Sequence, residues 1–245
     1  PLYQRNRIVA EQTLSDRIET ALAAGDRLLI GFDFPFGYPE GFATAVTGQD
    51  DPFALWGWLT EQVEDAPKAN NRFDVAGALN LRLAEGRGPF WGNGLKRDIA
   101  GLPRTKAGYR NPFPEKRASE MRAKGAFTCW QLAGAGAVGS QVLMGLPVLE
   151  RLRQRFPGQV AVWPFEPLDR QIAFVEIWPT LIDAPVRAAT GPGDIRDAVQ
   201  VQLLARAVRR LAPETLAAML SVDAPEEGWI LGLGFENTLT EALAP

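Results

Sequence analysis

The segment Leu28–Pro39, LLIGFDFPFGYP, carries the clearest fold signal in this 245-residue chain. With Arg27 before it, the segment opens on an apolar run too short for a helix, which ends at Asp33 and is followed by the turn residues Pro35 and Gly37. Such a run predicts a buried β-strand over residues 27–33. Asp33 would then lie at the carboxyl end of a strand, where α/β sheets place their ligands.

Helical and strand patterns alternate through the rest of the chain. Asp51 and Pro52 mark a helix start as N-cap and first helical residue. Helices are predicted over residues 3–24, 52–64, 140–156, 194–211 and 213–220, and further strands over 159–165, 171–178 and 227–235. The short turn between the strands at 159–165 and 171–178 favours an antiparallel pair. The sequence therefore predicts one α/β domain over residues 1–245, a mixed sheet flanked by helices, with a loop-rich insertion at about 66–125.

The composition excludes several kinds of chemistry. The chain has no His and one Cys, with 26 basic and 29 acidic residues. A Ser-His-Asp triad, a His-ligated metal, a disulfide framework and a Cys-rich metal cluster are therefore ruled out. No apolar run approaches the length of a membrane span, so we expect a cytoplasmic protein with no membrane partner.

Basic residues are concentrated in one part of the chain. Between Leu95 and Lys124 there are nine Lys and Arg against three Asp and Glu, a net charge of +6, which leaves −9 for the remainder of a chain with formal charge −3. Such a segment favours contact with an anionic partner. A solvated helical face would show the same pattern.

Three acidic residues occupy positions where an unpaired carboxylate is costly. Asp33 ends the first strand, Glu176 interrupts the apolar strand FVEIW, and Asp197 begins the stripe of a helix that also carries Leu204. Their oxygen atoms could converge on one Mg²⁺ or Mn²⁺ ion. Two such ions would allow in-line attack on a phosphodiester.

Each of these acids also has a structural interpretation. Asp33 could accept hydrogen bonds from the turn amides that follow it, and Glu176 could be the buried partner of an arginine. Asp194 fits the N-cap position of the helix over 194–211, and Asp197 could complete that cap.

Three segments of the sequence could bind phosphate. GAGAVG at 134–139 precedes a helix, but no acid stands where a dinucleotide site needs one. Two interpretations of this segment remain: it binds a phosphate at the helix N-terminus, or its glycines allow close packing. NNRFD at 70–74 and FWGNGLKRD at 90–98 offer Arg72, Lys96 and Arg97 to a phosphate. The aromatic residues nearby could stack a base or belong to the core: Phe90, Trp91 and Trp130.

Three motifs together resemble one family. LLIGFDFPFGYP is similar to the I-D-x-P-x-G-x-P segment of the DUF429-type uncharacterised proteins, FVEIWPT to their E-x-x-P strand, and DIRDAVQVQLLARAV to their D-A-x-D-A helix. The resemblance implies a ribonuclease H-like core, related to nucleases, transposases and actin-like ATPases, with a carboxylate cluster of Asp33, Glu176 and Asp197. That core opens with a three-strand meander. Because no strand is predicted before Arg27, the resemblance implies that these strands are absent from this chain.

We therefore expect a phosphoryl-transfer enzyme that depends on Mg²⁺ or Mn²⁺, a nuclease or a nucleotide hydrolase. Asp33, Glu176 and Asp197 would hold the metal, while Arg72, Lys96 and Arg97 would position the phosphates of a small molecule or nucleic acid. One alternative is a non-catalytic protein that binds a nucleotide or phosphorylated metabolite, and the resemblance links it to molybdopterin-guanine dinucleotide biosynthesis. Another alternative uses the basic loops as a protein-docking surface.

Overall fold

A computed structural model describes residues 3–244 of the chain. Its main sheet has three parallel strands in the order β1-β5-β4, and a separate two-stranded antiparallel ribbon pairs β2 with β3. The strands are β1 Leu28–Phe32, β2 Asp65–Ala66, β3 Ala69–Asn70, β4 Val160–Val162 and β5 Ile172–Glu176. The α/β class with flanking helices is confirmed, but the main sheet is parallel throughout rather than mixed.

Helices cover both faces of this sheet. The α-helices are α1 Arg7–Ala24, α2 Phe42–Thr47, α3 Pro52–Gln62, α4 Arg72–Ala84, α5 Ala118–Arg122, α6 Gly139–Arg155, α7 Asp183–Ala189, α8 Arg196–Arg210, α9 Pro213–Met219 and α10 Glu236–Glu241, and Pro179–Ile182 forms a 3₁₀ turn. No helix among residues 3–244 is long and apolar enough to cross a membrane.

Local capping chemistry sets the helices that the sequence predicts best. Asn6 accepts the backbone N–H of Val9, and Gly25 ends α1 with a φ of 74°, so the helix begins at Arg7 rather than Tyr3. The predicted start of α3 is confirmed, since Asp51 accepts the N–H of Phe53.

Alternate residues of the sheet enter two hydrophobic cores. Phe174 points into the larger core, which includes Phe36 and Trp56, whereas Val175 points into the smaller core beneath α8, which includes Leu204. This alternation is expected when helices cover both faces of a parallel sheet. β1 was predicted to be buried, but it is a half-buried edge strand.

The pairing of β4 with β5 corrects an expectation. The strands were predicted to be antiparallel, yet Val160 pairs with Ile172 and Val162 with Phe174 in a parallel register. After β4 the chain turns, with the N–H of Glu166 donating to the carbonyl of Val162, and residues 163–171 return it to the start of β5. Because both strands are almost fully buried, they lack the alternation of a half-exposed antiparallel pair.

Residues 227–235 do not form the predicted strand. Gly228, Gly232 and Gly234 have positive φ values, and only Ile230 forms a β-bridge, with Glu176. Positive φ interrupts an extended strand, so this apolar segment packs against the sheet as a series of turns.

The segment at 66–125 holds more structure than the predicted loops. Phe73 and Leu79 of α4 are buried in the larger core. Within α4, Gly77 packs so closely on the next loop that a Cβ there would lie 2.4 Å from the carbonyl oxygen of Ala100. A glycine inside a helical pattern weakens the prediction of a helix. Gly77 stands there because of its tertiary contact, which the sequence does not reveal.

Candidate functional site

A cleft of about 180 Å³ opens at the carboxyl ends of β1 and β5. Phe32 pairs with Glu176 in the parallel register, so Asp33 follows the end of β1 beside the end of β5. The cleft is acidic, because its titratable lining comprises Asp33, Glu120 and Glu176 against one base, Arg117. Its volume is below that of a typical drug-sized pocket, which suits a compact group or the reactive end of a larger ligand.

Glu176 is held by an arginine that the sequence analysis did not identify as its partner. Nη2 of Arg117 donates to Oε1 of Glu176 at 2.6 Å and Nη1 donates to Oε2 at 2.8 Å, while the N–H of Phe36 donates to the same Oε2 at 2.9 Å. The interpretation of Glu176 as the buried partner of an arginine is therefore confirmed. Three of the hydrogen-bonding positions of the carboxylate are already taken, which leaves little room for a metal.

Arg117 also pairs with a second buried acid. Its Nε donates to Oε1 of Glu120 at 2.9 Å, and its Nη1 donates to the backbone carbonyl of Glu227 at 2.9 Å. Burial alone would lower the pKa of Arg117, but the charges of Glu176 and Glu120 raise it, so the guanidinium stays charged. Burial raises the pKa of Glu120.

Asp33 is the carboxylate that remains available. The residue is exposed at the cleft, and within residues 3–244 its side chain has no hydrogen-bond partner. One interpretation of Asp33 has it accept hydrogen bonds from the turn that follows it, but the backbone N–H of Phe36 in that turn donates to Glu176 instead. Partial removal from water, followed by the charges of Glu176 and Asp197, raises the pKa of Asp33 to about 6.

Asp197 lies near enough for its charge to act on Asp33. It occupies the exposed first turn of α8, and Gln200, one turn further along the same helix, lines the cleft. Asp194 is not the predicted N-cap, because its carboxylate accepts the N–H of Gly191 and Ile195 occupies the cap position.

The acids do not form a ready-made metal cage. Among residues 3–244, no group of three or more acidic or Cys side chains is arranged to hold a metal ion. With Glu176 engaged by Arg117, the free carboxylates are Asp33 and Asp197. The predicted metal site of three acids is therefore not formed in the described residues.

The predicted phosphate ligands lie outside the cleft. Arg72 donates to Oγ of Ser140 at 2.9 Å and Arg97 pairs with Asp74 at 2.6 Å, whereas Lys96 is exposed. None of the three lines the cleft.

The charge of the basic segment is partly neutralised within the fold. Five of its nine basic residues form ion pairs, namely Arg97, Arg104, Lys106, Arg110 and Arg117. Its excess charge in the sequence is therefore a poor guide to the surface potential.

The predicted stacking residues are mostly core. Phe90 and Trp130 are fully buried and form edge-to-face contacts with each other and with Phe42. Trp91 is half-buried. Cys129 is also buried, which raises the pKa of its thiol and makes it unsuitable as a nucleophile.

The fold and the cleft together define a helix-flanked parallel α/β protein with an acidic cleft at the carboxyl ends of its strands. Comparison with protein-family models, curated proteins and solved structures finds no match to the chain.

Proposed function

We propose that this protein is a divalent-metal-dependent phosphoryl-transfer enzyme, most simply a nuclease or a nucleotide hydrolase. The observation that carries the proposal is the position of Asp33, an unpartnered carboxylate that lines the cleft at a strand end, where partial burial and repulsion from Glu176 and Asp197 disfavour its charged form. A cation would relieve this repulsion. A neutral ligand would not.

Asp33 and Asp197 would face the metal, and Mg²⁺ or Mn²⁺ bound there would supply Lewis acidity toward a phosphoryl oxygen. Arg117 and Glu176 are positioning residues, because their hydrogen bonds join the end of β5 to the loop that follows Asp33. A phosphate would otherwise be repelled by a cleft with three acids and one base, so phosphate binding should require the metal.

The same residue supports a second candidate function. A carboxyl group with a pKa of about 6 is near the range in which a general base works at neutral pH. Asp33 could then accept a proton from water in a metal-independent hydrolysis. The non-catalytic alternative predicts Arg72 or Lys96 facing the core acids, and neither residue lines the cleft.

Calorimetric titration with Mn²⁺ tests the first proposal. We expect binding to the wild type, loss of binding in Asp33→Asn and weaker binding in Asp197→Asn. Asp26→Asn is the matched control, because Asp26 is an exposed aspartate just before β1, at the end of the strand opposite Asp33. Equal Mn²⁺ affinity in the wild type and Asp33→Asn would remove Asp33 from the metal site.

Hydrolysis of bis(p-nitrophenyl) phosphate separates the two candidates. Activity that needs Mn²⁺ and is lost in both Asp33→Asn and Asp197→Asn supports the metal-dependent enzyme. Activity that persists in a chelator and is lost only in Asp33→Asn supports the general base. Activity that survives in Asp33→Asn contradicts both.

A further inference from the structure

A single exposed aromatic ring stands at the edge of the acidic cleft. Phe127 is 56% exposed, yet it is one of the residues that line the cleft. An isolated exposed apolar side chain needs no special explanation. Phe127 differs from such a residue, because its ring packs closely against a glycine.

The ring of Phe127 lies directly against Gly136, within the GAGAVG loop. A Cβ at Gly136 would lie 2.4 Å from the ring, so only glycine permits this contact, and the φ of 74° there also favours glycine. The ring of Phe127 thus packs directly against the backbone of this loop. Phe34, a second ring of the cleft, rests in the same way on Gly145 of α6, where a Cβ would lie 2.5 Å from it.

Two side-chain amides also line the cleft. Gln141 of α6 and Gln200 of α8 line the cleft, and in the part of the chain that the structure describes neither side chain has a hydrogen-bond partner. A carboxamide can both donate and accept, as the edge of a nucleobase requires. The lining of the cleft therefore combines aromatic rings, two amides and the carboxylates at the strand ends.

We propose that the cleft binds a nucleoside monophosphate, with the base stacked on Phe127 and the phosphate directed toward Asp33. This inference rests on the proposed function for the phosphate end only. The cleft, at about 180 Å³, is too small to enclose a whole nucleotide at typical ligand burial. Only the phosphate end would enter it, and the base would remain at the opening on the exposed ring. Every base has a π-face, so the contact selects for a planar base without choosing among bases.

Calorimetric titration with AMP, UMP and ribose 5-phosphate in the presence of Mn²⁺ tests the proposal. In the wild type, we expect both nucleotides to bind more tightly than the sugar phosphate. Phe127→Ala should weaken AMP binding about 10-fold or more, as expected for loss of one stacking contact. Phe127→Tyr keeps the ring and should bind AMP about as the wild type does.

Two further variants control the experiment. Met121→Ala removes another exposed apolar side chain, 73% exposed and outside the cleft lining, and should leave AMP affinity unchanged. Gly136→Ala displaces the ring without removing it and should weaken AMP binding as Phe127→Ala does. Equal AMP affinity in the wild type and Phe127→Ala would overturn the proposal. Equal affinity of the wild type for AMP and ribose 5-phosphate would also do so, as would no binding of either nucleotide by a protein that binds Mn²⁺.

Adenosine without Mn²⁺ distinguishes this inference from the proposed function. Binding of adenosine that depends on Phe127, in a protein that does not bind Mn²⁺, would retain the base site and reject the metal-dependent enzyme. Mn²⁺ binding that depends on Asp33, with no preference for AMP over ribose 5-phosphate, would retain the enzyme and reject the base site.

Discussion

Arg117 and Glu176 form a bidentate ion pair in the interior of the protein, with N–O distances of 2.6 and 2.8 Å and side chains that are 1% and 3% exposed. The pair connects a residue just before α5 to the last residue of β5, and Phe36 joins it through a backbone N–H. A buried carboxylate that interrupts an apolar strand is thus neutralised within the fold. The pair also leaves Asp33 as the free acid of the cleft.

Removal of the arginine should destabilise the fold strongly. Arg117→Met leaves Glu176 and Glu120 buried without a cationic partner, and breaking a buried pair costs about 3–5 kcal/mol in free energy of unfolding. Arg97→Met is the control, because Arg97 pairs with Asp74 at the surface and such pairs contribute about 0–1 kcal/mol. Urea unfolding measures both variants. Similar losses in the two would contradict a structural role for the Arg117–Glu176 pair.

The raised pKa of Asp33 predicts a pH-dependent stability. Its pKa is about 6 in the folded protein against an ordinary value of 3.8, so between these values the folded state binds more protons than the unfolded state. The contribution of Asp33 to the free energy of unfolding therefore falls as pH rises from 3.8 to about 6 and is constant above that range.

Asp33→Asn should remove this decline, so the variant gains stability relative to the wild type between pH 4 and pH 7. Urea unfolding across this range measures the difference. Asp26→Asn serves as the control for the substitution and should keep the decline. A carboxyl ¹³C titration that places Asp33 near its ordinary pKa would refute the prediction.

Two glycine substitutions of the same chemistry should act in opposite directions. A Cβ at Gly37 would lie 2.5 Å from the backbone oxygen of Glu226, and we expect Gly37→Ala to cost about 1–3 kcal/mol or more through overpacking. Gly57 lies inside α3 with nothing within 4 Å of the same position, so Gly57→Ala should stabilise by about 0.5–1 kcal/mol. Thermal unfolding compares them, and a stabilising Gly37→Ala would show that the loop can move aside.

Asn80 anchors the loop that follows α4. Its buried amide donates to the carbonyls of Phe90 and Gly101, and its oxygen accepts the N–H of Phe90. Asn80→Ala leaves these backbone groups unsatisfied and should cost about 1–3 kcal/mol for each group that stays buried without a partner. Asn237→Ala, at an exposed position in α10, should be nearly neutral. Hydrogen exchange should locate the loss of protection around Phe90, and protection unchanged there would count against this role.

The sequence predicted the elements that depend on neighbouring residues. The cap at Asp51, the end of α1 before Gly25 and the apolar run before Asp33 act within one or two turns of the chain, so their effect can be read from the order of residues. The cap at Asn6 was not predicted, and the predicted start of α1 at Tyr3 was wrong for that reason. The helix α4 escaped prediction because Gly77 is required by a contact with Ala100, 23 residues further along the chain in the loop that follows the helix.

The candidate site was predicted only in part. Asp33 was identified because it ends an apolar strand and Glu176 because it interrupts one, and both line the cleft. Their different roles were not predictable from the sequence. The basic segment contains nine cations, and nothing in their order indicates that Arg117 pairs with Glu176 while Arg97 stays at the surface.

The residue order alone indicates an α/β fold with one acid at the end of a strand and another within a strand, and it excludes histidine and disulfide chemistry. Composition and local hydrogen bonding are sufficient for those conclusions. The parallel direction of β4 and β5, the partner of Glu176 and the contact of Phe127 with Gly136 depend on the tertiary structure. These features join segments that are separated along the chain, and their energies arise from burial and contact that exist only once the chain has folded.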